Sequence, residues 1–302
     1  MAIPLTPATD HEEEPGIEAS LLMASGLALF WWLVVVLLIR PADLVAVWYE
    51  QKYVFTEVGS HVFNPYRLER FVNPPWAAVF LAPFALPPLE VAVLLQLCLY
   101  FCLLTLIIYK YGGNRTGVFL TLTSFMAMDN ALELGIDWLP AIGLLMPPAL
   151  SGIFLLVKPQ IALGVGMTYT RRQILQGGVF MLIFLLVTLL IWGYWPDEMQ
   201  SAVQRYTYDD QPTNPYNIAP SAVLPWPVSY LIGLTLGWTA FKRKDAALSI
   251  LAWLFFVPYI LFYSLLLHFA VLTVRLPLLA KIIYGALWLI YGGGALYVWL
   301  LR

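Results

Sequence analysis

The chain has 302 residues, 61% of them hydrophobic and only 11% charged, less than half of the roughly 25% charged content of soluble domains. With a mean hydropathy of +0.78, most of it needs lipid as its solvent, which points to an all-α polytopic membrane protein. A formal net charge of −2 leaves no basic stripe to neutralise a run of phosphates, so nucleic acid is excluded as a partner.

Residues 1–16 read as a solvated acidic tail, because Asp10-His11-Glu12-Glu13-Glu14 stands where a secretory signal would need basic residues. Residues 17–302 read as a single transmembrane domain. Apolar runs long enough to span a bilayer are predicted at 18–39, 90–109, 116–132, 138–157, 174–195, 223–241, 246–267 and 278–301. Two shorter segments, 74–88 and 159–170, are edged or broken by proline, so each crosses partway or joins a neighbour as a kinked helix. The expected bundle therefore has about eight to ten transmembrane helices.

The densest short basic loops, Arg171-Arg172 and Lys242-Arg243-Lys244, are assigned to the cytoplasm by the positive-inside rule. Ten crossings satisfy both. Both termini are then cytoplasmic, and two long polar loops, 40–73 and 196–222, fall on the outer face, where they can enclose a cleft. Within the first, Leu44 to Phe55 is apolar enough to lie in the headgroup region as an interfacial helix. Many of the tryptophans stand near span ends, as an aromatic belt does. No internal repeat is visible, which argues against an inverted-repeat transporter.

The first loop holds eight charged side chains: Arg40, Asp43, Glu50, Lys52, Glu57, Arg67, Glu69 and Arg70. Asp43 follows the apolar run closely, so its carboxylate is held at the membrane boundary in a setting suited to a general base. An aspartate after proline and before an interfacial helix is equally a natural N-cap. Lys158, in Lys158-Pro159-Gln160, is a lone cation between apolar runs, which calls for a lipid phosphate, another anion or snorkelling to the interface. Asp129, Glu133 and Asp137 recur every four residues and would share a face in one continuous helix. Gly135 and Pro140 interrupt it, so these are expected as solvated carboxylates of a cytoplasmic turn. His268 is the one histidine in an apolar segment, short of the pair a buried haem would need. Cys98 and Cys102 share a helix face and make poor metal or disulfide candidates. No metal-ligand spacing or phosphate loop appears, and Asn114-Arg115-Thr116 is a weak glycosylation sequon.

In order along the chain, Asp43, Asn64-Pro65-Tyr66, Asn73-Pro74-Pro75, Ala82-Pro83-Phe84-Ala85-Leu86-Pro87, Gly135 and Lys158-Pro159-Gln160 resemble the GT-C glycosyltransferases, particularly their bacterial mannosyltransferase-like branch. The resemblance covers roughly residues 18–172. Asn73 stands where that family usually has tyrosine, and Ile136 where it has glutamine after the glycine. The resemblance implies a GT-C-like bundle in a bacterial plasma membrane. It further implies transfer of a hexose from a polyprenyl-phosphate donor to an acceptor hydroxyl at the outer face, without metal or cofactor. Asp43 would be the base. Lys158, Gln160, Arg67, Arg70 and Asn73 would hold the substrate, the cations among them neutralising the departing lipid phosphate. Two other readings stand beside it: a non-catalytic GT-C-like subunit packed against other membrane subunits, and a transporter or lipid-handling protein built on Asp129, Glu133 and Asp137.

Overall fold

The computed structural model describes residues 16–42, 47–68, 70–205 and 217–300. These are helical throughout, with no strand among them. Three helices are long and apolar enough to cross a membrane: Ile17–Ile39, Leu89–Lys110 and Arg171–Trp192.

Helix α1 (Ile17–Val34) buries one narrow stripe of small residues, Ser20, Ala24 and Ala28, closed by Trp31. Small side chains there let a second backbone approach closely, which is how helices associate without a hydrophobic drive. Short helix α2 (Trp76–Leu81) follows the first polar loop. The partner of α1 is α3 (Leu89–Lys110), the most buried of the three long helices. The Ser20 and Tyr109 hydroxyls lie 2.8 Å apart near one end of this antiparallel pair, and Arg40 meets Glu90 at 2.6 Å near the other.

Beyond α3 the helices are short, and local chemistry sets their ends. Asn114 caps α4 (Arg115–Leu122) by accepting from the Gly117 amide, so this sequon residue serves the fold. Ser124 in turn caps α5 (Phe125–Glu133). Leu134 adopts a left-handed φ of 45° and ends α5. Gly135 then packs so tightly that an added Cβ would lie 2.5 Å from Tyr263 Cε2.

The run expected to span as 138–157 is instead a hairpin of α6 (Trp138–Leu145) and α7 (Pro148–Leu155). Extended backbone at Met146 and Pro147 breaks it, since a residue before proline avoids the helical region. Lys110 Nζ donates to the Leu144 carbonyl near the bend, while Asp137 and Lys158 meet at the open end.

A capping box on Thr170 and Gln173 starts α8 (Arg171–Trp192), which leaves nearly all its surface uncovered. Helix α9 (Trp195–Gln204) lies beyond it, and α10 (Trp226–Arg243) ends at the second basic cluster. The expected span 246–267 also doubles back, as α11 (Ala246–Trp253) and α12 (Leu265–Arg275). Arg275 Nε donates to Asp245 Oδ1 at 3.0 Å, bringing the start of one against the end of the other. Helix α13 (Pro277–Leu300) closes the described chain.

Candidate functional site

The first polar loop is pinned to the bundle rather than draped over it. Trp48 has a φ of 56°, a costly conformation for a bulky residue. Two hydrogen bonds over-determine it: its backbone amide donates to the Leu132 carbonyl and its indole to the Ala131 carbonyl, each at 2.8 Å. Gln51, fully buried, exchanges amide hydrogen bonds with Gln96 of α3 and donates to the Leu134 carbonyl. The Trp138 indole donates to the same Gln96 at 3.2 Å.

These contacts correct the placement of residues 129–137. The segment lies against the first loop rather than in a turn at the opposite end, and Asp137 is fully buried rather than solvated. The left-handed turn at Leu134 aims it inward, toward Lys158. Lys158 Nζ donates to Asp137 Oδ1 and, at 3.0 Å, to Ser264 Oγ, and it sits 4.8 Å from the Tyr263 ring centre. The Lys158 side chain is 14% exposed and that of Asp137 not at all. Tyr263 therefore roofs the ion pair, and Gly135 is the residue that makes room for Tyr263.

Glu50, one residue before Gln51, belongs to this neighbourhood. Burial pushes its carboxyl above the ordinary glutamate range; nearby Lys158 opposes that rise and Asp137 adds to it. Among the described residues Asp137 Oδ2, the Tyr100 hydroxyl, the Asn130 amide and both ring nitrogens of His268 are buried without a hydrogen-bond partner. Such groups are uncommon in interiors. They mark a polar interior spread over α3, α5 and α12.

The second feature is an open cavity of about 390 Å³ where the two polar loops meet. Asn64 and Arg67 form one wall; Asp197, Glu198, Ser201 and Arg205, from α9 and its end, form the other. Tyr66 also lines it. The Tyr66 hydroxyl donates to the Asn73 carbonyl at 3.0 Å. Burial, with the Glu198 charge adding, raises its pKa and keeps it a donor. Asn64-Pro65-Tyr66 and Asn73-Pro74-Pro75 are thus two halves of one clamp. The Trp192 indole ties α8 to the same loop through the Val62 carbonyl at 2.8 Å.

The residues nominated from sequence divide accordingly. Asp43 lies outside the described residues. Lys158 is paired with Asp137, and Gln160 sits partly buried in the short helix Pro159–Ala162. Arg67 lines the cavity, whereas the Arg70 guanidinium lies 4.7 Å from the centre of the Tyr49 ring. The Asn73 carbonyl receives Tyr66. Lys158, Gln160, Arg70 and Asn73 are absent from the cavity lining, so the nominated set forms two neighbourhoods rather than one. Tyr263, Ser264 and Ser201 were missed; Asp137 was weighed as a transport carboxylate rather than as the partner of Lys158, and Asp197, Glu198 and Arg205 were read only as charges of the second polar loop. For α9 a signal existed, since Asp197, Ser201 and Arg205 recur every four residues. No known protein family, curated protein or solved structure matches this chain.

Proposed function

We propose that the chain is a GT-C-like membrane protein transferring a hexose from a polyprenyl-phosphate donor to an acceptor hydroxyl at the outer membrane face. One observation carries the reading. Three stretches far apart in sequence, the part of the first loop that holds Trp48 and Gln51, the family-like Gly135 and the family-like Lys158, are brought together through Leu132, Leu134 and Tyr263.

In this reading Asp43 accepts the acceptor proton as the acceptor oxygen bonds to the anomeric carbon. The bond from that carbon to the phosphate oxygen breaks with inversion, and both electrons leave with the lipid phosphate. Lys158 already balances Asp137, so it orients the pocket, and Arg67, which lines the neighbouring cavity, is assigned to the leaving phosphate through charge-assisted hydrogen bonds. The test is mannosyl transfer from a polyprenyl-phosphate mannose donor by the full chain in nanodiscs. Asp43→Asn is expected to lower the rate by about 100-fold or more; normal transfer overturns the assignment.

The same ion pair favours a second reading, a non-catalytic GT-C-like subunit, because the motif lysine is satisfied internally. The uncovered apolar surface of α8 would then face partner helices as well as lipid. Copurification of a fixed stoichiometric assembly, with no transfer from any such donor, selects it. The transport reading loses ground, since Asp137 already holds a cation in Lys158.

A further inference from the structure

The cavity between the two polar loops has a lining whose chemistry selects its ligand. We propose that it binds a neutral, polyhydroxylated sugar, the acceptor of the transfer proposed above, on which this inference rests. The lining carries two guanidinium groups, Arg67 on one wall and Arg205 on the other, and two carboxylates, Asp197 and Glu198. Among the described residues none of the four is ion-paired across the cavity. Their charges cancel over the site as a whole. A free phosphate drawn to Arg67 meets both carboxylates, so the cavity is a poor site for a free anion. A sugar is suited to the mixture, because each hydroxyl both donates and accepts.

The wall supplied by α9 is ordered from its other side. Its Ala202 is fully buried, the Trp195 indole donates to Thr188 Oγ1 at 3.2 Å, and Trp195 packs edge-on against Trp76 with ring centres 5.4 Å apart. With that side anchored, Asp197, Ser201 and Arg205, at i, i+4 and i+8, form one stripe toward the cavity. Acceptor, hydroxyl and donor are thereby set out along about 12 Å of helix. The opposite wall is held by Pro65, which is buried, and by the Tyr66 to Asn73 clamp. That clamp occupies the tyrosine hydroxyl, and the ring packs edge-on against buried Phe71 with ring centres 5.7 Å apart. The volume of about 390 Å³ lies in the range of small-molecule sites, roughly 300–1,000 Å³.

The experiment is saturation-transfer NMR on the full chain in nanodiscs with mannobiose as the neutral probe, beside inorganic phosphate and glycerophosphoethanolamine. Mannobiose is expected to bind saturably and resist displacement by phosphate. Asp197→Asn and Ser201→Val are each expected to weaken it by about tenfold, the cost of one hydrogen bond to a charged or well-placed group. Both positions are solvent-exposed, so folding survives the changes. Failure of mannobiose to bind, wild-type affinity in both variants, or stronger Asp197-dependent binding of glycerophosphoethanolamine each overturns the assignment. Transfer assays separate the two proposals. Sugar binding that needs Asp197 without any turnover sinks the transferase reading and leaves the sugar site. Turnover with unchanged acceptor KM in Asp197→Asn sinks the site and leaves the reading.

Discussion

Removing one member of the Lys158–Asp137 pair is expected to cost far more than removing both. The Asp137 side chain is fully buried and its Oδ2 has no partner among the described residues, while the Lys158 side chain keeps 14% of its surface exposed. Breaking a buried pair leaves an uncompensated charge at a cost of about 3–5 kcal/mol. The two single variants should differ within that range. Asp137→Leu leaves a lysine that can still lean toward its exposed edge, so about 3 kcal/mol is expected. Lys158→Met strands a carboxylate with no such route, and about 5 kcal/mol is expected near neutral pH. The double variant removes both charges and should fall within about 1 kcal/mol of wild type, since apolar replacement of a buried pair is often neutral or stabilising. Equilibrium unfolding of all four proteins in mixed micelles, read by pulse proteolysis, closes the cycle. Additivity of the single variants to within about 0.5 kcal/mol would mean the groups do not interact, and the site as described would be wrong.

Gly135→Ala is expected to destabilise the fold by about 1–3 kcal/mol, because its Cβ overlaps a buried tyrosine ring rather than a flexible chain end; an unchanged unfolding midpoint would show that Tyr263 yields freely. Glu50 binds its proton more tightly folded than unfolded, so it contributes stability in acid that is lost as pH rises through the ordinary glutamate range and beyond. Glu50→Gln should therefore match wild type below about pH 4 and gain on it as pH rises; a constant difference across that window refutes the cause given. Trp48→Phe should cost about 1–3 kcal/mol through the orphaned Ala131 carbonyl, measured in the same unfolding assay. Glu90→Gln should change stability by less than about 1 kcal/mol despite its contact with Arg40, since that pair is 46% and 39% exposed.

The long helices were legible because hydropathy reads transfer into lipid, and α1, α3 and α8 each carry that signal over an unbroken run. The hairpins α6–α7 and α11–α12 were not. Two half-length apolar helices have the same mean hydropathy as one whole helix, and Pro147-Pro148 reads equally as a kink or a reversal. Lys158 stood out for its isolation, but its partner did not. Asp137 looked like a solvated loop acid because nothing in Leu134-Gly135-Ile136 shows that leucine, rather than glycine, takes the left-handed conformation that turns the aspartate inward. The motif pieces around Asn64 and Asn73 were read as chemistry, whereas the hydrogen bond between them is structural. The first wall of the cavity was announced by its charge density. The second depended on knowing which side of α9 is buried.

The brevity of the helices after α3 bears on how the chain enters its membrane. Helices α1, α3 and α8 each have the length to partition into a bilayer alone. Helices α4 to α7, α11 and α12 have 8 to 11 residues each, and their frayed ends would carry unpaired amides and carbonyls into hydrocarbon. They become tolerable only once neighbours or their own hairpin mates cover those ends. Assembly should then be staged, with three stakes driven first and the broken segments settling around α3 afterwards. Biosynthetic intermediates halted between α3 and α8 should accordingly be the ones that quality-control proteases recognise.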